Sequence, residues 1–328
     1  MLYDISRNTS TRSPIKASYM EELYQRTHSH LYPDTEINTL KALYAKRNQL
    51  PIEEIEFACG ADEWIQKVFI VFGQDGIMSL SPEFFMFHDY AAQLELPFFE
   101  IPANEQFQFD FQAIRGEILA RKPSLFILSN PHNPTGQMFA EADLQLIADT
   151  MEEIGGYFVI DEVYSEFAET YNRPEGDHIL IIRSLSKIYG LAGVRIGVII
   201  AQGETYKQIT RINHPYPLDI YAINIACILL EDEEWLNEFM DSEFEASKQL
   251  NKSFEAVDDL IQVIPSHTNF VFTYGEHAVN LGEHLLKAGF KARFYEEDNL
   301  KACVRYSIMP LEAYPAFNQA IAEWRKQF

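Results

Sequence analysis

Cysteine is scarce in this sequence. The 328 residues hold three, Cys59, Cys227 and Cys303, too few and too widely spaced for a disulfide framework or a zinc ligand set. That usage fits a reducing compartment, and a cytoplasmic location is expected. No run approaches the ~18 apolar residues of a membrane span. The opening MLYDISRNTSTRSP places acidic and polar residues where a secretory leader needs a continuous apolar stretch. Basic residues are also few: Lys and Arg total 26 against 49 Asp and Glu, a formal net charge of −23. Nucleic acid and anionic membranes are therefore poor partners. Glycine and proline, 15 each, are too few for a fibrous or disordered chain. No Gly-x-Gly-x-x-Gly follows an apolar strand and no Walker-type loop occurs, so dinucleotide and ATP enzymes lack their signature. His28 and His30 have no third ligand nearby in sequence, and no metal site is expected.

What is present is an ordinary globular composition, 47% hydrophobic and 23% charged. The length suits about two domains of roughly 150 residues each. Apolar runs recur at Ile77–Ser81, Pro97–Ile101, Leu125–Ser129, Tyr157–Asp161, Ile179–Ser184 and Val194–Ala201. Several are apolar on consecutive residues, as in strands covered on both faces. Helical spacing appears between them at Asp62–Phe72, Phe85–Leu94 and Ala140–Glu153. This alternation predicts an α/β fold: a large domain with a mostly parallel mixed sheet flanked by helices. Beyond about Ala222 a long acidic, amphipathic helical segment from Glu231 to Ile261 precedes a strand at Asn269–Tyr274, a helix at Ala278–Ala288, a strand at Ala302–Ile308 and a helix at Pro315–Gln327. We expect residues 40–221 to form the large domain. Residues 1–39 and 222–328 form the smaller α+β domain.

The segment Arg183-Ser184-Leu185-Ser186-Lys187-Ile188-Tyr189-Gly190-Leu191-Ala192-Gly193-Val194-Arg195-Ile196-Gly197 carries the clearest chemistry. A lysine follows an apolar strand, flanked by serines and followed by glycines and an arginine. Hydroxyls, free backbone amides and a guanidinium suit a phosphate dianion. Desolvation and like charge in such surroundings favour the neutral amine of a lysine, which can attack an aldehyde. Two further segments leave strand ends, where open α/β sheets bind ligands. Asn130-Pro131-His132-Asn133-Pro134-Thr135-Gly136 is a rigid turn that presents the Asn133 amide. Tyr157–Asp161 runs into Glu162-Val163-Tyr164, placing a carboxylate and a phenol where they could meet a protonated ring nitrogen and a ring oxygen.

In order and spacing, Asn-Pro-Thr-Gly at 133–136, Asp-Glu-Val-Tyr at 161–164 and Ser-x-Ser-Lys-x-x-Gly-Leu-Ala-Gly-x-Arg-x-Gly at 184–197 resemble the fold-type I aminotransferases that use pyridoxal 5'-phosphate (PLP). The resemblance is greatest to the histidinol-phosphate aminotransferase group of amino-acid biosynthesis. It extends to Tyr32-Pro33-Asp34, Gly60-Ala61-Asp62-Glu63, Pro82–Phe87, Pro215-Tyr216, Ser266–Val271 and Val304-Arg305. It implies that Lys187 binds PLP covalently and moves the substrate α-proton, and that Asp161 keeps the ring nitrogen protonated. By the same resemblance Tyr164 and Asn133 contact the ring oxygen and Phe84 covers the ring. Ser184, Ser186 and Arg195 grip the phosphate with the amides of Ala61 and Asp62.

Arg305 takes the substrate carboxylate in this reading, and Tyr32 reaches the cofactor phosphate of a neighbouring subunit, which implies a homodimer with shared sites. The partners are a small-molecule amino donor and a 2-oxo acid acceptor such as 2-oxoglutarate, the donor being histidinol-phosphate-like or aromatic. Phe84 stands where the group usually has tyrosine, and Arg7–Pro14 lacks its usual Asn-x-Asn-x-x-Pro form. A threonine-phosphate-type PLP decarboxylase and a non-catalytic regulatory protein on the same fold are the alternatives.

Overall fold

The computed structural model describes residues 2–168 and 172–328. Its centre is a seven-stranded sheet in the order Ile55–Cys59, Ile196–Ile200, Ile179–Ser184, Tyr157–Asp161, Leu125–Ser129, Ile77–Ser81, Phe98–Pro102. Adjacent strands from Phe98–Pro102 through Ile179–Ser184 pair in parallel, and Ile196–Ile200 alone runs against its neighbours. The expected α/β architecture is therefore present.

Strand side chains alternate faces, and here both faces are apolar. Phe126, Leu128, Phe158 and Ile160 pack into one core; Leu125, Ile127, Val159 and Leu180 pack into the other. Helices cover each face, which is why the strands read as continuous apolar runs and not as alternating ones. Because the parallel strands share a direction, the residues after Cys59, Ser81, Ser129, Asp161 and Ser184 all emerge at one sheet edge.

A second sheet of four antiparallel strands, Arg293–Phe294, Cys303–Ser307, Phe270–Tyr274 and Gln262–Ile264, packs with the helices Glu233–Glu255, Ala278–Lys287 and Tyr314–Arg325 around Leu250, Leu281, Tyr306 and Phe317. The N-terminus joins this unit: Tyr3 and Asp4 pair in parallel with Phe290 and Lys291.

Several expectations shift. The helical segment expected at Glu231–Ile261 is the helix Glu233–Glu255, which ends before Ile261 and is preceded by a separate helix, Ile220–Glu231; the Asp232 carboxylate accepts from the Trp235 amide and caps the later helix. The strand expected at Val194–Ala201 begins only at Ile196, after a short 3-10 turn at Ala192–Val194 and a left-handed Arg195 at φ 61°. The strand expected at Pro97–Ile101 lies one residue later, and Ile55–Cys59 was not expected at all. The change of core also falls elsewhere than the expected divisions at residues 40 and 222. Tyr19 and Leu23 of the helix Ala17–Arg26, and the apolar residues from Ala222 to Met240, pack in the large core. Among the described residues no helix is long and apolar enough to cross a membrane.

Candidate active site

The strand ends close around a cavity of about 270 Å³ lined by Lys187, Asp161, Tyr164 and Arg195. Asn133, Phe84, Ser184, Ser186, Ala61 and Asp62 are also in its wall, as is Arg7 from the N-terminus. Ten residues picked from five separate segments thus share one cavity. A second cavity of about 260 Å³ holds Arg305 and shares Lys187, Tyr164, Phe84 and Asn133 with the first. A larger hollow, about 1070 Å³, lies between Phe167 and the helix Glu233–Glu255. It is lined by none of these residues, so chemistry and not volume locates the site.

Asp161 ends its strand 3% exposed, with the Val163 amide donating to Oδ1 at 3.1 Å. Burial pushes its carboxyl up to about 7, against the pull of that amide, and Lys187 also acts to lower it. No salt bridge engages it among the described residues. A buried acid that faces a cavity and has no salt-bridge partner among the described residues is matched by a protonated heteroaromatic nitrogen. Also on the cavity wall, the helix Ala61–Phe72 starts at Gly60 with no side-chain cap, so its first amides are open to an anion. A Cβ on Gly60 would come 2.3 Å from Arg195 Nη2; only glycine lets the guanidinium sit against this backbone at φ +81°. Arg195 also binds Asp62 Oδ2 at 2.6 Å. Ser184 Oγ accepts from the Ser186 amide at 3.0 Å and donates to the Ile196 carbonyl at 3.3 Å, which braces the turn. An anion-binding helix start, a buried acid and a lysine lining one cavity fit PLP.

Lys187 Nζ donates to the Asn8 carbonyl at 3.4 Å and lies 5.1 Å from the centre of the Tyr164 ring. Arg305 Nη1 donates to Asn133 Oδ1 at 2.7 Å, and its Nε is buried without a partner among the described residues. Tyr32 does not line either cavity. It is 72% exposed and stacks on Tyr216 at 4.5 Å. Phe84 lines both cavities. Next to it, Glu83 accepts from the Phe84 amide at 2.8 Å and the Ser129 amide at 3.0 Å, and burial pushes its carboxyl up to about 8. His132 is buried with Nε2 donating to the Pro82 carbonyl at 3.0 Å, and burial pushes it down to about 3. It is a neutral brace of the turn. His28 and His30 are exposed, and among the described residues no acid, His or Cys cluster could hold a metal ion.

Sequence reasoning missed the residues that converge on the second cavity: Arg7 and Asn8 from the N-terminus, Glu83, and Arg293, Tyr295 and Glu297. Glu83 lies within the recognised segment Pro82–Phe87, and Arg7 and Asn8 open the stretch Arg7–Pro14 that departs from the group's pattern; the other three lie outside any motif. In a chain of net charge −23, the cations Arg7, Lys187, Arg195, Arg293 and Arg305 gather around two adjoining cavities.

A sequence profile described as aminotransferase class I and II matches residues 7–321. A histidinol-phosphate aminotransferase of Clostridium novyi is 29% identical over 283 residues, covering 84% of this chain and 78% of that protein. Histidinol-phosphate aminotransferase 2 of Nitrosococcus oceani is 32% identical over 274 residues, 82% of this chain and 75% of that protein. In fold, the chain superimposes on the histidinol-phosphate aminotransferase of Sinorhizobium meliloti, solved in complex with pyridoxal-5'-phosphate. The TM-score is 0.84 at 23% identity, with 98% of this chain and 90% of that one covered.

Proposed function

This chain belongs to the aminotransferase class I and II family, and from that premise we propose that it is a homodimeric transaminase of the histidinol-phosphate type, with Lys187 as the catalytic residue. It is a PLP-dependent aminotransferase. When bound, the cofactor supplies an aldehyde that takes up the donor's amino group and a ring that accepts the electrons left at the α-carbon.

The chain's own residues divide the remaining work. Lys187 would hold the cofactor covalently, and its amine would move the proton at the substrate α-carbon. Asp161 holds the proton on the ring nitrogen. Arg195, Ser186 and the Ala61 and Asp62 amides hold the phosphate, and Ser184 braces that turn. Phe84 covers the ring, while Tyr164 and Asn133 address its oxygen. Arg305 takes a carboxylate in its planar fork. Arg7 and Arg293 line the same cavity, which favours amino donors with a second anionic group, as in an amino phosphate or glutamate. The acceptor is a 2-oxo acid.

The carrying observation is that Lys187, Asp161 and Arg195 line one cavity while Arg305 lines its neighbour. A second copy of the chain is supported by large apolar side chains left exposed along one N-terminal stretch: Met20 at 55%, Tyr24 at 84%, Leu31 at 59% and Tyr32 at 72%.

Borohydride treatment of the yellow holoenzyme should fix the cofactor on Lys187; label on another lysine refutes the assignment. A half-reaction screen then reads the substrate. Visible absorbance should fall with histidinol phosphate or an aromatic amino acid and return with 2-oxoglutarate. Release of carbon dioxide without any need for a 2-oxo acid would identify a decarboxylase instead, and no response to any amine would favour a regulatory protein.

A further inference from the structure

Asn8 is 2% exposed, stands at φ 54°, and uses every polar group it has. Its amide N–H donates to Ser307 Oγ at 2.8 Å, and Ser307 Oγ lies 2.7 Å from Asn8 Oδ1. Its Nδ2 lies 3.0 Å from Tyr164 Oη. Its carbonyl accepts from Asn269 Nδ2 at 3.0 Å and from Lys187 Nζ at 3.4 Å.

These contacts fix a direction. Ser307 has one hydroxyl proton, and its oxygen already accepts from the Asn8 N–H, so that proton goes to Oδ1. The side-chain oxygen of Asn8 therefore faces Ser307 and its NH₂ faces Tyr164. Turning the amide over would make the Ser307 oxygen accept from both donors of Asn8 and leave the Ser307 proton without its acceptor Oδ1. The Tyr164 oxygen must accept from Nδ2, and its own proton cannot point back at Asn8. It is left for an acceptor in the cavity that Tyr164 lines.

We propose that Asn8, held by Ser307, is a positioning residue that sets the direction of the Tyr164 hydroxyl, so that Tyr164 donates to an anionic oxygen on the cofactor ring. The inference rests on the reading of Tyr164 given above. Ser307 is two residues beyond Arg305 on the strand Cys303–Ser307, so the two share a strand face. The strand that takes the substrate carboxylate thus also holds the group that orients Tyr164. The donation from Nδ2 further polarises the phenol, because hydrogen bonds in series strengthen one another.

A bond donated to the ring oxygen lowers the negative charge seen by the protonated nitrogen that Lys187 contributes, and so lowers the pH at which that proton leaves. Weakening it raises that pH. The test is a visible-absorbance titration of the holoenzyme. Asn8→Gly removes the amide while tolerating the left-handed backbone; Ser307→Ala frees the amide to turn over. Both leave the charged groups around Tyr164, namely Lys187, Asp161, Arg7 and Arg305, in place.

Each variant should raise the absorbance midpoint by about half to one pH unit, and neither should add to the rise produced by Tyr164→Phe. If Asn8→Gly does not fold, Ser307→Ala carries the test alone. Midpoints unmoved in both variants, or moved equally in the Tyr164→Phe background, overturn the inference while leaving the role of Tyr164 standing. A Tyr164→Phe enzyme with an unmoved midpoint removes that role and the inference together.

Discussion

Arg305 donates from Nη1 to Oδ1 of Asn133 across 2.7 Å, tying the strand Cys303–Ser307 to the turn that follows Leu125–Ser129. The guanidinium is braced on two nitrogens, since Nη2 also donates to the Ser6 carbonyl at 3.3 Å, and has Nε buried without a partner among the described residues, so in the proposed role an incoming carboxylate meets a fork already fixed in place. Lysine keeps the charge and loses both the fork and the brace. Arg305→Lys should raise KM for the amino donor about 10- to 100-fold, the value of one charge-assisted bond pair, with a much smaller change in kcat. Steady-state kinetics with donor and acceptor varied separately check this. An unaltered KM would take Arg305 out of the carboxylate site.

The buried carboxyls give the cofactor-free protein a pH dependence of unusual sign. Asp161 has its carboxyl raised from 3.8 to about 7 by burial, so between those values the folded chain keeps a proton that the unfolded chain releases. Its stabilising contribution is complete below pH ~4 and is lost as pH rises through 7. Glu83, raised from 4.5 to about 8, acts in the same direction. Cofactor-free protein should melt several degrees lower at pH 8 than at pH 5. Asp161→Asn, neutral throughout, should flatten part of that slope, and bound cofactor should flatten it in the wild-type chain by placing a cation opposite the acid. An identical slope in Asp161→Asn and wild type would mean that Asp161 is not the group being titrated.

Much of this site was readable because its residues come in short local packets at strand ends. Ser129, Asp161 and Ser184 each close a buried apolar run, and the polar residue at the end of such a run reaches the sheet edge whatever the remainder of the chain does. The large unit's sheet was readable for the same reason, except at Ile55–Cys59. That edge strand has five residues, with Glu56 breaking the apolar run. Asn8 was invisible. Its partner Ser307 lies 299 residues away, and nothing in Arg7-Asn8-Thr9 distinguishes it from a turn. Arg293 and Tyr295 were missed likewise, because their approach to Arg305 comes from pairing of Arg293 opposite Arg305 across two strands. Local pattern locates groups along one segment; convergence of remote segments needs the fold.

Tyr32 supplies the test of subunit sharing. In a single chain it is 72% exposed and stacked on Tyr216, whose hydroxyl donates to Asp34 at 3.0 Å, so the tyrosine pair is held rigid yet serves neither cavity of its own chain. A rigid, exposed aromatic pair beside Leu31 is the kind of surface a second copy covers. If the Tyr32 hydroxyl serves the partner's phosphate, Tyr32→Phe impairs the site across the interface while Lys187→Ala disables the site within its own chain. Mixed in equal amounts and allowed to exchange, the two variants form hybrids in which one site has both Lys187 and Tyr32 intact. Activity should rise above the sum of the separate variants, toward about a quarter of wild type for random pairing with one working site in half of the dimers. Folded, exchanging subunits that show no recovery would place Tyr32 outside the partner's site.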